Sequence, residues 1–327
     1  MDEPLLDINN LKVYYPIFKG SLFKREKVNI KAVDGIDLKI RQGEVIGLVG
    51  ESGCGKTTVA RAIMCLTKLN SGSVILEGED LYKLNSKELK RKRPEFQMIF
   101  QDPFASLNPR MTVFKILSEP LLYHKLAGKT ELTGILSNLL KEVGLSPRDM
   151  GKYPHEFSGG QLQRIAIARA LSLQPKLIIA DEPVSALDVS IRSQILNLLI
   201  RLIRDRSLTM LFISHDLSVI RHISDRVAVM YLGRIVESGS NERIYSHPAH
   251  PYTHALLSAV PVPDPDKEKS RKRIILKGEP PSPINPPSMC TFHPRCPYVR
   301  DKCSTITPEF EPIQEGHMVA CHFPLSS

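Results

Sequence analysis

Residues 50–57 read Gly50-Glu51-Ser52-Gly53-Cys54-Gly55-Lys56-Thr57, the spacing G-x-x-x-x-G-K-[ST] of a loop that wraps phosphate. Each residue type answers a need of that chemistry. Gly50, Gly53 and Gly55 let the backbone fold close enough for its N–H groups to converge on phosphate oxygens. Lys56 carries a cation to the outer phosphates, and the Thr57 hydroxyl is placed to ligate Mg²⁺. Ser52, Cys54 and Thr58 belong to the same cradle. The run Val45–Gly50 enters the loop as a buried strand would, and Val59, Ala60, Ile63 and Met64 recur after it at helical spacing. A helix starting there offers its positive N-terminal end to the same anion. A plain glycine-rich turn before a helix is the alternative, and the strand and helix on either side argue against it.

A phosphate loop alone does not separate the many nucleotide-driven machines. Later residues narrow the field. Leu177–Ala180 is apolar and ends in Asp181-Glu182, which places Asp181 to hold a Mg²⁺ shell and Glu182 to polarise an attacking water. Two acids opening a loop after a strand are also common without any such role. Gln101 follows a short apolar strand, where a neutral amide can orient water or a Mg²⁺ ligand. His215 ends another buried strand and is placed to contact a terminal phosphate; alone, a histidine there is more often structural. Ser158-Gly159-Gly160-Gln161 opens an amphipathic stretch, a second anion-binding helix N-terminus. One nucleotide on one chain has no evident use for two such ends. Two chains face to face do, each closing its Ser158-Gly159-Gly160 over the partner's phosphates.

In this order and spacing, the phosphate loop, Gln101, Ser158-Gly159-Gly160-Gln161, Asp181-Glu182, Ser185-Ala186-Leu187-Asp188 and His215 resemble the ATP-binding subunit of an ABC transporter, over roughly residues 5–260. The resemblance implies ATP and Mg²⁺ as cofactors. It also implies Tyr15 stacking on the adenine, and Asp188 in the loop that links two sites. Phe157 stands where the family's signature has Leu, and Leu162 where it has Arg. Tyr14-Tyr15-Pro16, the segment Gln101–Pro109, Asp181–Ser190 and the segment His250–Leu257 narrow it to the dipeptide/oligopeptide permeases, and Val184 to the second of their two ATP-binding subunits. Such a subunit pairs with a second, homologous ATP-binding subunit. The pair sits beneath two transmembrane permease subunits on the cytoplasmic face of the membrane and is served by an extracytoplasmic binding protein. Importers of oligosaccharides or metal ions, and a soluble ATPase of the same family without a membrane partner, are the alternatives. The soluble relatives carry two cassettes or a long coiled-coil insertion, and neither is present. A subunit with a dead site is disfavoured by Lys56, Glu182 and His215.

Of the six cysteines, Cys54 and Cys65 read as small packing residues. The other four, Cys290, Cys296, Cys303 and Cys321, cluster near the end, and in a reducing compartment such a cluster suggests a metal site. The segment is too short to hold itself together by burial alone, so a metal would stabilise it. Four thiolates suit tetrahedral Zn²⁺ or an iron–sulfur cluster, and the close Cys-x₂₋₄-Cys chelate usual for zinc is missing. The resemblance implies a [4Fe–4S] cluster, with which similar extensions in the peptide-permease subunits are associated. Zinc and free buried thiols are the alternatives, and His293 and His322 read as bystanders, with substitute ligation the alternative for each.

These groups need a scaffold, and the hydrophobic pattern supplies one. Strands are expected at 5–13, 32–40, 74–76, 97–100, 176–180, 208–213, 226–231 and 234–237. Helices are expected after the phosphate loop to about Leu69, over Val189–Ile203, and through an inserted block at about 102–173 punctuated by prolines. Residues 17–30 read as a hairpin or loop. Strand–helix alternation of this kind predicts an α/β fold with a mostly parallel sheet. By the resemblance, that is the RecA-like core of a P-loop NTPase with an antiparallel β subdomain and a helical subdomain. The domain reading is a cassette over 1–260, then a proline-rich, charged linker over 261–273 and the cysteine extension to 327. The chain of 327 residues is 42% hydrophobic and carries a net charge of +9. No basic run is interleaved with aromatics, which disfavours nucleic acid as a partner. No apolar run reaches the roughly 18–20 residues that span a bilayer, and Met1-Asp2-Glu3-Pro4 is not a leader sequence. A soluble, cytoplasmic chain is therefore expected.

Overall fold

Apolar runs closed by glycine, proline or an acid fold as strands here, and the amphipathic stretches between them as helices. The computed structural model describes residues 3–19, 26–261, 273–276 and 278–325. Met1-Asp2, the middle of the 17–30 stretch and nearly all of the expected linker lie outside the described residues. In chain order the strands are β1 (Leu6–Lys19), β2 (Glu26–Ile40), β3 (Val45–Val49), β4 (Ser71–Leu76), β5 (Glu79–Asp80), β6 (Phe96–Ile99), β7 (Leu177–Asp181), β8 (Thr209–Ser214), β9 (Arg226–Tyr231), β10 (Arg234–Ser240), β11 (Glu311–Gln314) and β12 (His317–Val319). The chain forms two compact units. One is built chiefly from Asp80–Ile213, the other from Leu6–Lys39, Ile46–Glu79 and the chain from Ser214 onward.

In the first unit β6, β7 and β8 lie parallel in that order, with Leu177 opposite Phe96 and Thr209. Every residue of β7 and β8 is buried, as parallel strands covered on both faces require. The inserted block is helical: Pro103–Ser106, Val113–Tyr123, Leu132–Glu142 and Gly159–Ser172. Gly159–Ser172 packs against the other three and against Val189–Arg206, so its apolar residues are buried almost all round. Pro103, Pro147 and Pro154 open helical turns, where a missing N–H costs nothing. Pro120 does not punctuate. It sits inside Val113–Tyr123, a helix kept by the buried stripe Val113, Ile116, Leu117 and Leu121. The charged stretch 81–95, to which periodicity assigns no element, contains the helix Ser86–Lys92, started by a reciprocal Asn85–Glu88 capping box.

In the second unit β3 and β9 pair in parallel, and β9–β10, β10–β12 and β12–β11 continue antiparallel. A separate antiparallel sheet runs β2-β1-β4-β5. Leu6 and Ile8 pair with Leu76 and Val74 and are fully buried, while Asp7 and Asn9 alternate to the other face. β1 does not stop at Pro16 as expected. Its ladder to β4 ends at Lys12, so a residue without an N–H is tolerated further along. The helix after the phosphate loop ends at Ile63, well before Leu69. There Cys65 turns left-handed (φ 48°) and the Leu66 N–H wraps back to the Arg61 carbonyl. Tyr14 donates to Asp34, which Arg234 also holds at 2.8 Å, and burial with that hydrogen bond pushes the phenol up to about 12.

The cysteine extension is not left to hold itself together. β12 adds to the sheet edge at β10, the Ala320 N–H donates to Val236 and the Leu325 N–H to Ala249. Beneath it Glu237, fully buried, accepts from the N–H groups of Ala249 (2.7 Å) and His250 (2.9 Å), with His317 Nε2 at 2.7 Å. His250 caps the helix Pro251–Ser258 through Nδ1, which accepts from the Tyr252 N–H at 3.0 Å. Burial holds this imidazole neutral, its pKa depressed to about 4. Unfolded, it would titrate near 6.5. The native state therefore keeps its full stability above that value and loses it as pH falls towards 4, by up to about 1.4 kcal/mol per pH unit for one proton. His250→Asn retains an acceptor for the Tyr252 N–H and cannot take up the proton. Urea unfolding between pH 7 and 5 should give the variant a shallower loss of stability than the parent, and equal slopes would assign the proton elsewhere.

Candidate active site

The phosphate loop leaves β3 at Val49 and ends where the helix Lys56–Ile63 begins. Its shape is set by close approach to its floor. A Cβ at Gly50 would sit 2.2 Å from the Met230 carbonyl oxygen, and one at Gly55, where φ is +111°, 2.1 Å from the Ala32 carbonyl oxygen. Only glycine satisfies both, so the backbone can lie flat and turn into the helix. That helix has no side-chain cap and no acid in its first turn, which suits an anion at its N-terminus. Ser52, Gly53 and Thr57 are exposed, and Thr58 is half-buried. Lys56 is buried, its ammonium donating to the carbonyls of Gly50 (2.7 Å) and Glu51 (3.0 Å). Cys54 is buried beneath it, and burial pushes its thiol up, so it packs rather than reacts. Tyr15, on β1, is half-buried with its hydroxyl 3.4 Å from that of Thr67. His215 stands exposed just past β8. All of these belong to the second unit.

The first unit holds the acids. Asp181 ends β7 opposite Ile213 and is only 3% exposed. Glu182 follows with φ of +48°, a conformation that costs a residue with a side chain about 1–3 kcal/mol. Three bonds hold it there. Its N–H donates to the Ile213 carbonyl (3.0 Å), and its own carbonyl accepts from the N–H (3.2 Å) and hydroxyl (3.0 Å) of Ser185. The turn aims the carboxylate at Gln101, whose Nε2 donates to Oε2 at 3.1 Å. The structure therefore brings Gln101 and Glu182 together directly. Ser158 caps Gly159–Ser172. Its hydroxyl accepts from the Gln161 N–H (3.4 Å), and the Gln161 side chain accepts from the Ser158 N–H (3.0 Å). Gly159 is half-buried, and Gly160 needs its lack of a side chain, since a Cβ would meet Ile191 at 2.4 Å. Asp188 precedes Val189–Arg206, exposed, with no capping bond from its side chain. Thr57, Asp181 and Gln101 offer oxygen alone, the donor chemistry Mg²⁺ takes.

Two contacts of the loop escape a reading of the motif. The Glu51 N–H donates to the Tyr252 hydroxyl at 2.9 Å, and the Glu51 carboxylate meets Arg295 at 2.8 and 3.1 Å. Tyr252 lies in the segment His250–Leu257, which the family resemblance marks without giving it a job.

Cys290, Cys296, Cys303 and Cys321 line one cavity together with His293 and His322. Burial raises the thiols of Cys290, Cys296 and Cys321, the last to about 11. Among the described residues no group of three or more His, Cys, Asp or Glu is placed to hold a metal ion. The expected cluster thus has a shared cavity and a thiol set of suitable chemistry, but no ready coordination shell.

Two family models match the chain: the ABC transporter family over residues 33–185, and the oligopeptide/dipeptide transporter C-terminal region over residues 236–303. The chain is 51% identical to the oligopeptide transport ATP-binding protein AppF of Bacillus subtilis, over 98% of this chain and 97% of that one. It is 52% identical to OppF of Escherichia coli, over 97% and 95%. The chain belongs to the ATP-binding proteins of the oligopeptide ABC transporters. Among solved structures it resembles a dimeric ATP-binding cassette in a post-hydrolysis state bound to ADP and Pi (TM-score 0.63, 29% identity, 72% of this chain and 98% of that one). It also resembles CbiO1 of Clostridium perfringens, part of an ABC transporter complex (TM-score 0.64, 26% identity, 75% and 92%). The fold is the ABC ATPase fold, a P-loop NTPase, and the activity is ATP hydrolysis coupled to transport. Among the described residues of this ABC ATPase, no helix is long and apolar enough to cross a membrane.

A general base at Glu182 predicts that Glu182→Gln lowers ATP turnover by roughly 10²-fold or more while leaving ATP binding in place, since the turn is kept. Steady-state hydrolysis alongside equilibrium binding checks both halves, and near-normal turnover would remove Glu182 from the role.

Proposed function

We propose that this chain is the ATP-hydrolysing subunit of an importer for dipeptides or oligopeptides. The observation that carries the reading is the union, in one chain, of an ABC cassette with the oligopeptide-transporter C-terminal region. In this reading the cassette covers residues 1–260, its helical subdomain about 102–173, and the extension 261–327. The subunit pairs with a second, homologous ATP-binding subunit on the cytoplasmic face of the membrane, beneath two transmembrane permease subunits. An extracytoplasmic binding protein delivers the substrate, and the Val184 form makes this the second of the two ATP-binding subunits.

The residues take these roles. Tyr15 supports the adenine. The amides of the loop Gly50–Thr58 and the Lys56 ammonium, anchored on the carbonyls of Gly50 and Glu51, hold the phosphates. Thr57, Asp181 and Gln101 hold Mg²⁺, which when bound offsets phosphate charge. Glu182 takes a proton from the attacking water, and its hydrogen bond from Gln101 aims the carboxylate. His215 contacts the terminal phosphate. Ser158, Gly159, Gly160 and Gln161 close over the partner's nucleotide, the use left to a helix end that turns its own Ser158 and Gln161 into a cap. Asp188 links the two sites. ATP closes the pair and hydrolysis reopens it, and that movement drives the permease. Cys290, Cys296, Cys303 and Cys321 hold a [4Fe–4S] cluster in preference to Zn²⁺. Their shared cavity and their wide spacing in the chain support this.

Reconstitution with the neighbouring permease and binding-protein genes tests the transport reading. Peptide-loaded binding protein should stimulate ATP turnover in liposomes, and stimulation by a sugar or a metal ion instead would redirect it. Anaerobically purified protein should be brown, with about four iron atoms per chain. One zinc per chain would replace the cluster, and neither metal would remove the metal-site reading.

A further inference from the structure

The second residue of the phosphate loop is tied to the far end of the chain. Arg295 Nη1 donates to Glu51 Oε2 at 2.8 Å and Nη2 to Oε1 at 3.1 Å, a two-pronged contact that fixes the carboxylate in a plane. The Arg295 side chain is only 7% exposed and that of Glu51 27%, so water screens this pair less than it would one on the surface. The contact has a built bed. Tyr231, Tyr252 and Phe292 pack ring to ring at 4.7–5.4 Å between centroids, and the guanidinium lies over Tyr231. Tyr252 uses its hydroxyl to accept the Glu51 N–H. Glu51 is thus gripped at side chain and backbone by two residues from beyond the cassette motifs. Its carbonyl, in turn, is one of the two that hold the Lys56 ammonium. The turn His293–Arg295 that presents the arginine is closed by hydrogen bonds to Cys290 and Phe292 and lies between Cys290 and Cys296.

We propose that Arg295 is a positioning residue for nucleotide binding. By clamping Glu51 it holds the loop amides and Lys56 in register for the phosphates, so that the C-terminal extension sets the ATP affinity of the cassette. Arg295 does not touch the nucleotide and does nothing to Glu182. Releasing the clamp therefore weakens binding and raises KM while leaving kcat nearly unchanged. The inference rests on the phosphate loop being the nucleotide site.

The test uses the full chain, Mg²⁺ and a fluorescent N-methylanthraniloyl ATP, with turnover measured on the same preparations. Arg295→Met keeps an unbranched side chain in that bed but removes the fork and should raise Kd and KM by about 10-fold, the scale of one charge-assisted pair, with kcat within about 3-fold. Arg295→Lys, with one ammonium in place of a fork, should fall between. Glu51→Gln should weaken binding comparably, and the double variant Glu51→Gln/Arg295→Met should be no worse than either single, because both remove one interaction. A double variant whose fold-change equals the product of the singles would overturn the proposal. So would Arg295→Met binding within about twofold of the parent. Should Arg295→Met fail to fold, Glu51→Gln decides alone: unchanged affinity overturns the clamp, and weaker affinity upholds it. Lys56→Ala separates the premise. If it too leaves affinity unchanged, the loop is not the nucleotide site, and that reading fails rather than the clamp.

Discussion

A run of backbone N–H groups can converge on an anion only if the chain that carries them lies flat on a rigid floor. Here that floor is backbone too: the carbonyls of Ala32 and Met230 leave no room for a side chain at Gly55 or Gly50. The loop's curvature is thus dictated from below by β2 and β9 of its own unit rather than by its own preferences. Further ties fix it from the side. The Gly233 N–H donates to the Cys54 carbonyl and Tyr252 accepts from Glu51. Lys56 ties the loop from within by donating to the carbonyls of Gly50 and Glu51.

Glu182 illustrates the opposite arrangement, a residue held away from its preferred backbone. A left-handed glutamate persists only because neighbours over-determine it, and here Ile213 and Ser185 together do so. The gain is direction. Continuing β7 in an extended conformation would send residue 182 along the strand, whereas the turn swings its carboxylate onto the Gln101 amide. Ser185 therefore matters to the acid through backbone geometry.

Much of this was legible in the sequence, and the limits have physical causes. Strands buried on both faces, such as β7, β8 and β9, announce themselves as apolar runs and fall within a residue or two of their expected bounds. The phosphate loop and the Ser158–Gln161 cap are local, so their motifs carry their geometry. The helix Ser86–Lys92 shows almost no apolar periodicity, since it buries nothing, and its only signal is the Asn85–Glu88 box. Pro120 reads as a breaker because propensity cannot weigh the tertiary packing that overrides it. The φ of Glu182 depends on an Ile213 carbonyl from another strand. Arg295 and Glu51 are 244 residues apart in sequence, beyond the reach of any periodic pattern.

The C-terminal extension shows how a segment whose cysteines suggest a metal is also anchored through contacts of its own. Read alone, residues 290–321 have too little apolar surface to fold. In place, they borrow a sheet edge from β10 through β12, they put Phe292 into the Tyr231–Tyr252 cluster, and they bring His317 to Glu237, which is buried and already holds two backbone N–H groups. Each of these anchors lies in the unit that contains the phosphate loop. The four thiols line one cavity within that docked segment, with Cys290 and Cys296 flanking the turn that carries Arg295. The turn that carries Arg295 is thus part of a segment already fastened to the loop, and its stiffness reaches Glu51 through the Arg295 fork.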